Sequence, residues 1–176
     1  LDTHPQFLGK VSFVQIAVPS REDVDEYQEI RRQVEEMVGR VNGRFAEAGW
    51  IPVHYVYRSV PFEELIGAYS TTDEMLVKQL RVGMNVVELE YVDTGVEDTG
   101  VLVLSEFAGA AEQLQEALIV NPYDLDALSD ALARAVTMPP DEQRERMRRL
   151  RRKVARWDVH KGAQHNLDAI ASRRES

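Results

Sequence analysis

The sequence predicts an α/β protein in which a mostly parallel sheet is flanked by helices. Two observations carry this. Short, β-branched apolar runs alternate with longer segments of helical periodicity, and each run closes on a turn signal before the next helix. Its 176 residues suffice for one domain with a genuine core, and 44% hydrophobic with 29% charged residues are globular proportions. With no internal repeat, low-complexity tract or linker, the reading is a single domain over residues 1–176.

The first strand is "VSFVQIAV" (11–18), closed by Pro19 and Ser20. Ser20, with Asp23 three residues on, reads as the N-cap of a long amphipathic helix. Val24, Tyr27, Ile30, Val34, Met37, Val38 and Val41 keep helical spacing along it. Gly43 and Gly49 mark a loop, and "IPVHYVY" (51–57) is the second strand. Pro61 stands where a helix bearing "FEELIGAY" can begin. "EMLVK" (74–78) is a third, short strand, followed by a helix from about Asn85 to Asp93. After the turn "VEDTG" comes a buried strand, "VLVLSE" (101–106). Gly109 opens a short helix, and "ALIV" (117–120) is the last strand. In "NPYD", Asp124 caps a helix carrying Leu125, Leu128, Leu132 and Val136. Pro139 and Pro140 stop that helix and start another, with apolar Met147, Leu150, Val154 and Trp157.

Composition excludes several function classes. A net charge of −9 argues against a generic nucleic-acid binder. Without cysteine there is no disulfide scaffold, thiolate-held cluster or Cys-based zinc site. No run approaches the roughly 18 apolar residues of a membrane span. The start, "LDTHPQFLGK", lacks the order of a signal peptide, so the expectation is a soluble, cytoplasmic chain with no membrane partner. His160 and His165 are five apart, off the spacing that puts two ligands on one helix face, so no metal is expected. His54 lies in a strand run and reads as packed or exposed. Residues 144–156, "RERMRRLRRKVAR", read as a solvated helix face, since apolar positions recur within them and Glu142 and Glu145 temper the charge. Glu63 and Glu64 suit a helix amino-terminus.

In parallel α/β sheets, ligands gather outside the carboxyl ends of the strands. Two turns there carry glycine: "QLRVGMN" after the third strand and "SEFAGAA" after the fourth. Glycine admits close backbone approach, and free N–H groups at a helix start favour a phosphate or sugar oxygen. Ligand binding and simple turn chemistry both account for this spacing. Glu90 lies one to two turns into the following helix, where a carboxylate can meet a ribose diol. On mechanics alone, Glu90 and its neighbour Glu88 read as solvated helix glutamates.

Taken together, "LRVGMNVVELEYV", "GVLVLSEFAGAA", "LIVNPYD" and "DVHKGA" resemble the trehalose-6-phosphate synthase family of retaining glycosyltransferases. "FVQIAVPSREDVDEYQEIRRQVEEMVGRVNGRF" and "HYVYRSVPFEELIGAYSTTDEMLV" extend the likeness over nearly the whole chain. The resemblance implies a Rossmann-like domain, one half of a GT-B fold: the carboxyl-terminal, nucleotide-sugar-binding half. Its implied partners are a nucleotide sugar and an amino-terminal acceptor domain, or a second copy pairing with open sheet edges. It implies glucose transfer from a nucleoside diphosphate glucose to glucose 6-phosphate, with retention and with no cofactor beyond the donor.

The family motif runs Leu-Arg-Asp-Gly-Met-Asn-Leu-Val-Ala-Lys-Glu-Tyr. By that match, Gly83, Met84, Asn85 and Val86 form the turn that meets the donor's sugar and diphosphate. Glu90 matches the carboxylate that holds the donor ribose. Val60 falls where main chain reads the nucleobase, so no side chain selects uracil over guanine.

The departures are specific. Val82 replaces the family's aspartate to the transferred sugar, Glu88 and Leu89 replace Ala and Lys, and Lys78 and Gln79 replace Thr and Pro. Gly162 takes the place of a tryptophan, with polar His165 and Asn166 beyond it. The basic residues that clamp the diphosphate, and the central strand, belong to a family segment expected before Leu1. No catalytic acid, base or nucleophile is named, because the family's chemistry rests on positioning and electrostatics. The expectation is a domain inactive alone. The alternative is an engineered or degenerate scaffold or binding module, its former interdomain face around Lys78, Val82 and Gly162 made soluble.

Overall fold

The computed structural model describes residues 1–19, 24–80, 87–95 and 98–172, with 157–172 as helix backbone alone. Its residues gather into two compact units, Leu1–Glu64 and Leu65–Ser176.

In the first unit, a 3-10 turn at Pro5–Phe7 precedes β1 (Phe13–Ala17), α1 (Asp25–Phe45) and β2 (Val53–Tyr57). The two strands pair in parallel, from Phe13↔Val53 to Ala17↔Tyr57, with α1 as the crossover that parallel pairing requires. Asn42 ties that crossover to β2 at two points. Its Nδ2 donates to the Val53 carbonyl at 2.9 Å, and its Oδ1 accepts from the Val53 N–H at 3.0 Å. The Arg31 guanidinium lies 4.0 Å above the Tyr57 ring, and Arg31 and Glu35 pair one turn apart at 2.7 Å. Gly43 lies inside α1, not in a loop; the chain stays helical to Phe45, and Ala46 N–H still bonds the Asn42 carbonyl at 2.9 Å. Gly49, at φ +87, makes the turn closed by the Glu47↔Trp50 bridge. Ser20 and Asp23, expected as cap residues, lie outside the described residues. Val24 is the observed N-cap and makes no side-chain cap bond.

The second unit carries the core. α2 (Phe62–Thr71), which belongs to this unit from Leu65 on, leads into β3 (Glu74–Val77), then α3 (Val87–Thr94), β4 (Val101–Ser105), β5 (Leu118–Val120), α4 (Leu125–Val136) and α5 (Pro140–Ser172). Its sheet has the order β3-β4-β5, wholly parallel, with Glu74↔Val101 to Val77↔Leu104 on one side of β4 and Val103↔Leu118 to Ser105↔Val120 on the other. Every residue of β4 is buried. Leu102 and Leu104 enter one core with Tyr69, Tyr91, Leu114, Met147 and Leu150. Val101 and Val103 enter the other with Leu118, Leu128, Ala135 and Met138. A parallel sheet covered on both faces reads as such an unbroken apolar run. Each fully buried leucine there contributes roughly 1.5–3 kcal/mol.

Asp124 caps α4 as expected, its Oδ1 accepting from Ala127 N–H at 2.9 Å. No helix opens at Gly109. Residues 106–117 run as successive turns, with Ala111 N–H on the Ala108 carbonyl and Ala117 N–H on the Leu114 carbonyl, both at 3.0 Å. Ala108, Ala110, Ala111, Leu114 and Ala117 are all buried, a distribution that one helical face does not supply.

Several arginines of α5, and Lys153, are engaged by acids and a carbonyl of the same unit. Arg148 and Arg151 meet Asp98 at 2.8 and 2.6 Å, Arg149 meets Glu145 at 2.7 Å and Lys153 meets Glu116 at 2.6 Å. Arg146 bonds Glu142 and the Glu116 carbonyl, at 2.8 and 2.9 Å. Met147, Leu150 and Val154 face the core between them. Among the described residues, no helix is long and apolar enough to cross a membrane.

Candidate functional site

The carboxyl ends of β3, β4 and β5 bring three segments of the second unit together. After β3 come Lys78, Gln79 and Leu80; after β4, Glu106 and Phe107; after β5, Asn121 to Asp124. Ser105, fully buried at the end of an otherwise apolar strand, donates its hydroxyl to the Gln79 carbonyl at 2.6 Å. The same oxygen accepts from Phe107 N–H at 3.1 Å. Tyr123 donates its hydroxyl to the next carbonyl, Leu80, at 3.0 Å. Its own N–H bonds Asn121 Oδ1 at 2.9 Å, and its ring meets Phe107 edge-on with centroids 5.9 Å apart. Asn121, Tyr123, Asp124, Leu125 and Asp126 line an open depression beside this network.

Glu90 stands on α3, half-buried. Tyr69 of α2 is turned toward it, hydroxyl to Oε2 at 3.5 Å, the long end of a hydrogen bond. Burial and the nearby Glu90 charge push the Tyr69 hydroxyl up to about 12, so it stays a donor at neutral pH. Tyr69 and Tyr91 meet in a T-shape at 6.5 Å, which fixes the ring carrying that donor.

Neither glutamate of α3 is a solvated helix residue. Glu88 is 1% exposed, because it shares the core-facing side of α3 with Tyr91 and Val92, three and four residues on. Of the other residues named from the sequence, Gly83, Met84, Asn85 and Val86 lie outside the described residues, as does Val82. Val60 lies half-buried between β2 and α2, and Lys78 is exposed. His160, Gly162 and His165 lie in the part of α5 given as helix backbone alone. Ser105, Tyr123 and Tyr69 were not singled out by sequence reasoning. The one signal for Ser105 was a hydroxyl ending the apolar run "VLVLS"; none marked the other two. Among the described residues, no group of three His, Asp or Glu side chains is arranged to hold a metal ion.

Comparison with known proteins gives one consistent result. The model of the family described as glycosyltransferase family 20 matches residues 1–172. The alpha,alpha-trehalose-phosphate synthase [UDP-forming] 56 kDa subunit of Kluyveromyces lactis is 45% identical over 157 residues, 89% of this chain and 32% of that protein. An alpha,alpha-trehalose-phosphate synthase (UDP-forming) structure from Burkholderia vietnamiensis superposes with a TM-score of 0.91 at 43% identity. It covers 98% of this chain and 39% of its own. A structure from E. coli bound with UDP-2-fluoro glucose gives a TM-score of 0.90 at 40% identity, over 97% of this chain and 38% of its own. The chain therefore spans about a third of the length of the curated relatives it matches. It belongs to glycosyltransferase family 20, with the α/β architecture of the structures it matches.

Proposed function

We propose that residues 1–176 are the donor-binding domain of an alpha,alpha-trehalose-phosphate synthase, working in a longer protein that moves glucose from UDP-glucose to glucose 6-phosphate. The observation that carries this is the 45% identity to a UDP-forming synthase over 89% of the chain. The solved relative with a UDP-glucose analogue, matched over 97% of the chain, supports the choice of donor.

In this reading the bond from the glucose anomeric carbon to the diphosphate breaks, and UDP leaves with the electron pair. A new bond forms on the same face to the acceptor's anomeric hydroxyl, whose proton leaves with the UDP or to solvent. This chain's share is positioning and electrostatics. Glu90 accepts the hydroxyl hydrogens of the donor ribose, and the backbone of Gly83, Met84, Asn85 and Val86 meets the sugar and diphosphate. Val60 contributes main chain toward the base. The acceptor site and the cationic clamp on the diphosphate come from the remaining length of the longer protein. Donor and acceptor are charged metabolites that do not cross a bilayer unaided, so the reading takes the cytoplasm as the working compartment. It needs neither metal nor cofactor besides the donor.

Calorimetric titration of the chain with UDP, GDP and their glucose conjugates tests the reading. Millimolar or tighter UDP-glucose binding, weakened at least about tenfold in Glu90→Ala, is the expected result, since a charge-assisted bond is worth about 1.5–3 kcal/mol. Absence of heat and of competition at every concentration would remove the donor role from this chain.

A further inference from the structure

We propose that Ser105 and Tyr123 are positioning residues that set the backbone at the carboxyl end of β3 for the donor; the inference rests on the donor-binding reading above.

The β3–β4 ladder ends at Val77↔Leu104. Two and three residues later, the carbonyls of Gln79 and Leu80 take hydroxyl donors from side chains instead of ladder partners. One donor ends β4 and the other lies in the turn after β5, 26 and 43 residues away in sequence. One carbonyl held alone leaves its peptide free to swing about that bond. Two consecutive carbonyls held by two hydroxyls pin the backbone on both sides of the Leu80 Cα, so neither flanking peptide can swing alone. Gly83, Met84, Asn85 and Val86, the family's donor-contacting residues, follow in sequence within a few positions.

Both donors carry marks of a dedicated role. Ser105 is the buried hydroxyl of a strand otherwise made of Val and Leu, a placement that costs free energy unless the group is fully bonded. It is bonded twice, as donor to Gln79 and as acceptor from Phe107, so it joins the exits of two strands. Tyr123 is 64% exposed, and core burial does not account for its placement. Its position follows from the Asn121 turn, the Phe107 ring and the bond to Leu80. Removing its hydroxyl leaves the ring contact in place and frees only the carbonyl.

Tyr123→Phe in the full 176-residue chain is the decisive variant, and Ser105→Ala accompanies it. Three readouts are taken: thermal midpoint, hydrogen exchange of peptides spanning β3 to α3, and UDP-glucose titration. For Tyr123→Phe we expect a midpoint close to the parent's, with exchange about three- to tenfold faster beyond β3 and unchanged in β4. UDP-glucose affinity should fall about three- to tenfold, the effect of one neutral hydrogen bond. Ser105→Ala should show the same pattern with a lowered midpoint. Unchanged exchange in Tyr123→Phe overturns the anchoring. Faster exchange with unaltered affinity also overturns the proposal, because the anchored peptide then has no bearing on the donor. If the parent chain itself binds no UDP-glucose, the donor reading fails separately, and the exchange arm alone decides the anchoring.

Discussion

Glu74→Gln should stabilise the chain at pH 8 and change little at pH 5. Glu74 is the first residue of β3, paired with the buried Val101. Burial, and then the Asp73 charge beside it, push its carboxyl up to about 7 from 4.5. Both influences act in one direction, since each disfavours the ionised form. The folded protein therefore holds this proton to higher pH than the unfolded chain does. Stability is fully present below about 4.5 and is lost as pH rises through about 7. At 1.36 kcal/mol per unit the whole shift is worth at most roughly 3 kcal/mol. Glu74 keeps partial access to solvent, which brings the expected loss to about 1–2 kcal/mol. Urea unfolding at half-unit steps from pH 5 to 8, on parent and variant, reads it directly. The parent should lose about 1–2 kcal/mol relative to Glu74→Gln across that window, with the curves converging at its acid end. Asp73→Asn should move the parent's transition toward lower pH, because it removes the like charge. Parallel curves, or a variant less stable at pH 8, would refute the account of a carboxyl held neutral by burial.

Two further outcomes follow from backbone geometry. Gly100 has φ +100, and a Cβ there would collide with the Tyr91 hydroxyl, so Gly100→Ala should cost more than about 2 kcal/mol in urea unfolding. Asp124→Ala removes the bond to Ala127 N–H and should cost about 1 kcal/mol, while Asp124→Ser or Asp124→Asn restores most of it in the same assay.

Elements defined by local signals were legible in the sequence. All five strands stand where apolar runs between turn residues put them, and Asp124 and Pro140 open their helices as their chemistry requires. What escaped depends on contacts distant in sequence. Glu88 looked solvated because glutamate usually is, yet the pitch of α3 puts it on the side of Tyr91 and Val92. Gly43 looked like a loop residue, but one glycine costs a long helix only about 1 kcal/mol, and α1 runs through it. The segment after Gly109 has helical composition, but the core buries its alanines from more than one side, so it folds as turns. The site divides the same way. Spacing left the glycine turn after β3 open between ligand binding and turn chemistry, and only the family resemblance gave Glu90 a role. Neither pointed to Ser105, Tyr123 or Tyr69, whose partners are set by the tertiary fold.

Burial is distributed very unevenly between the two units, and this bears on where donor affinity can come from. Both cores lie in the second unit, while Val14, Val18, Ile30 and Met37 of the first are exposed at 57%, 59%, 58% and 61%. Positioning a ligand requires groups whose own coordinates cost nothing to fix at the moment of binding. Tyr69, Glu90, Ser105 and the peptide at 79–80 satisfy that condition, because β4 and its two covered faces hold their elements. In the proposed reading, a ribose held by Glu90 meets a carboxylate whose element the core of the second unit already holds in place.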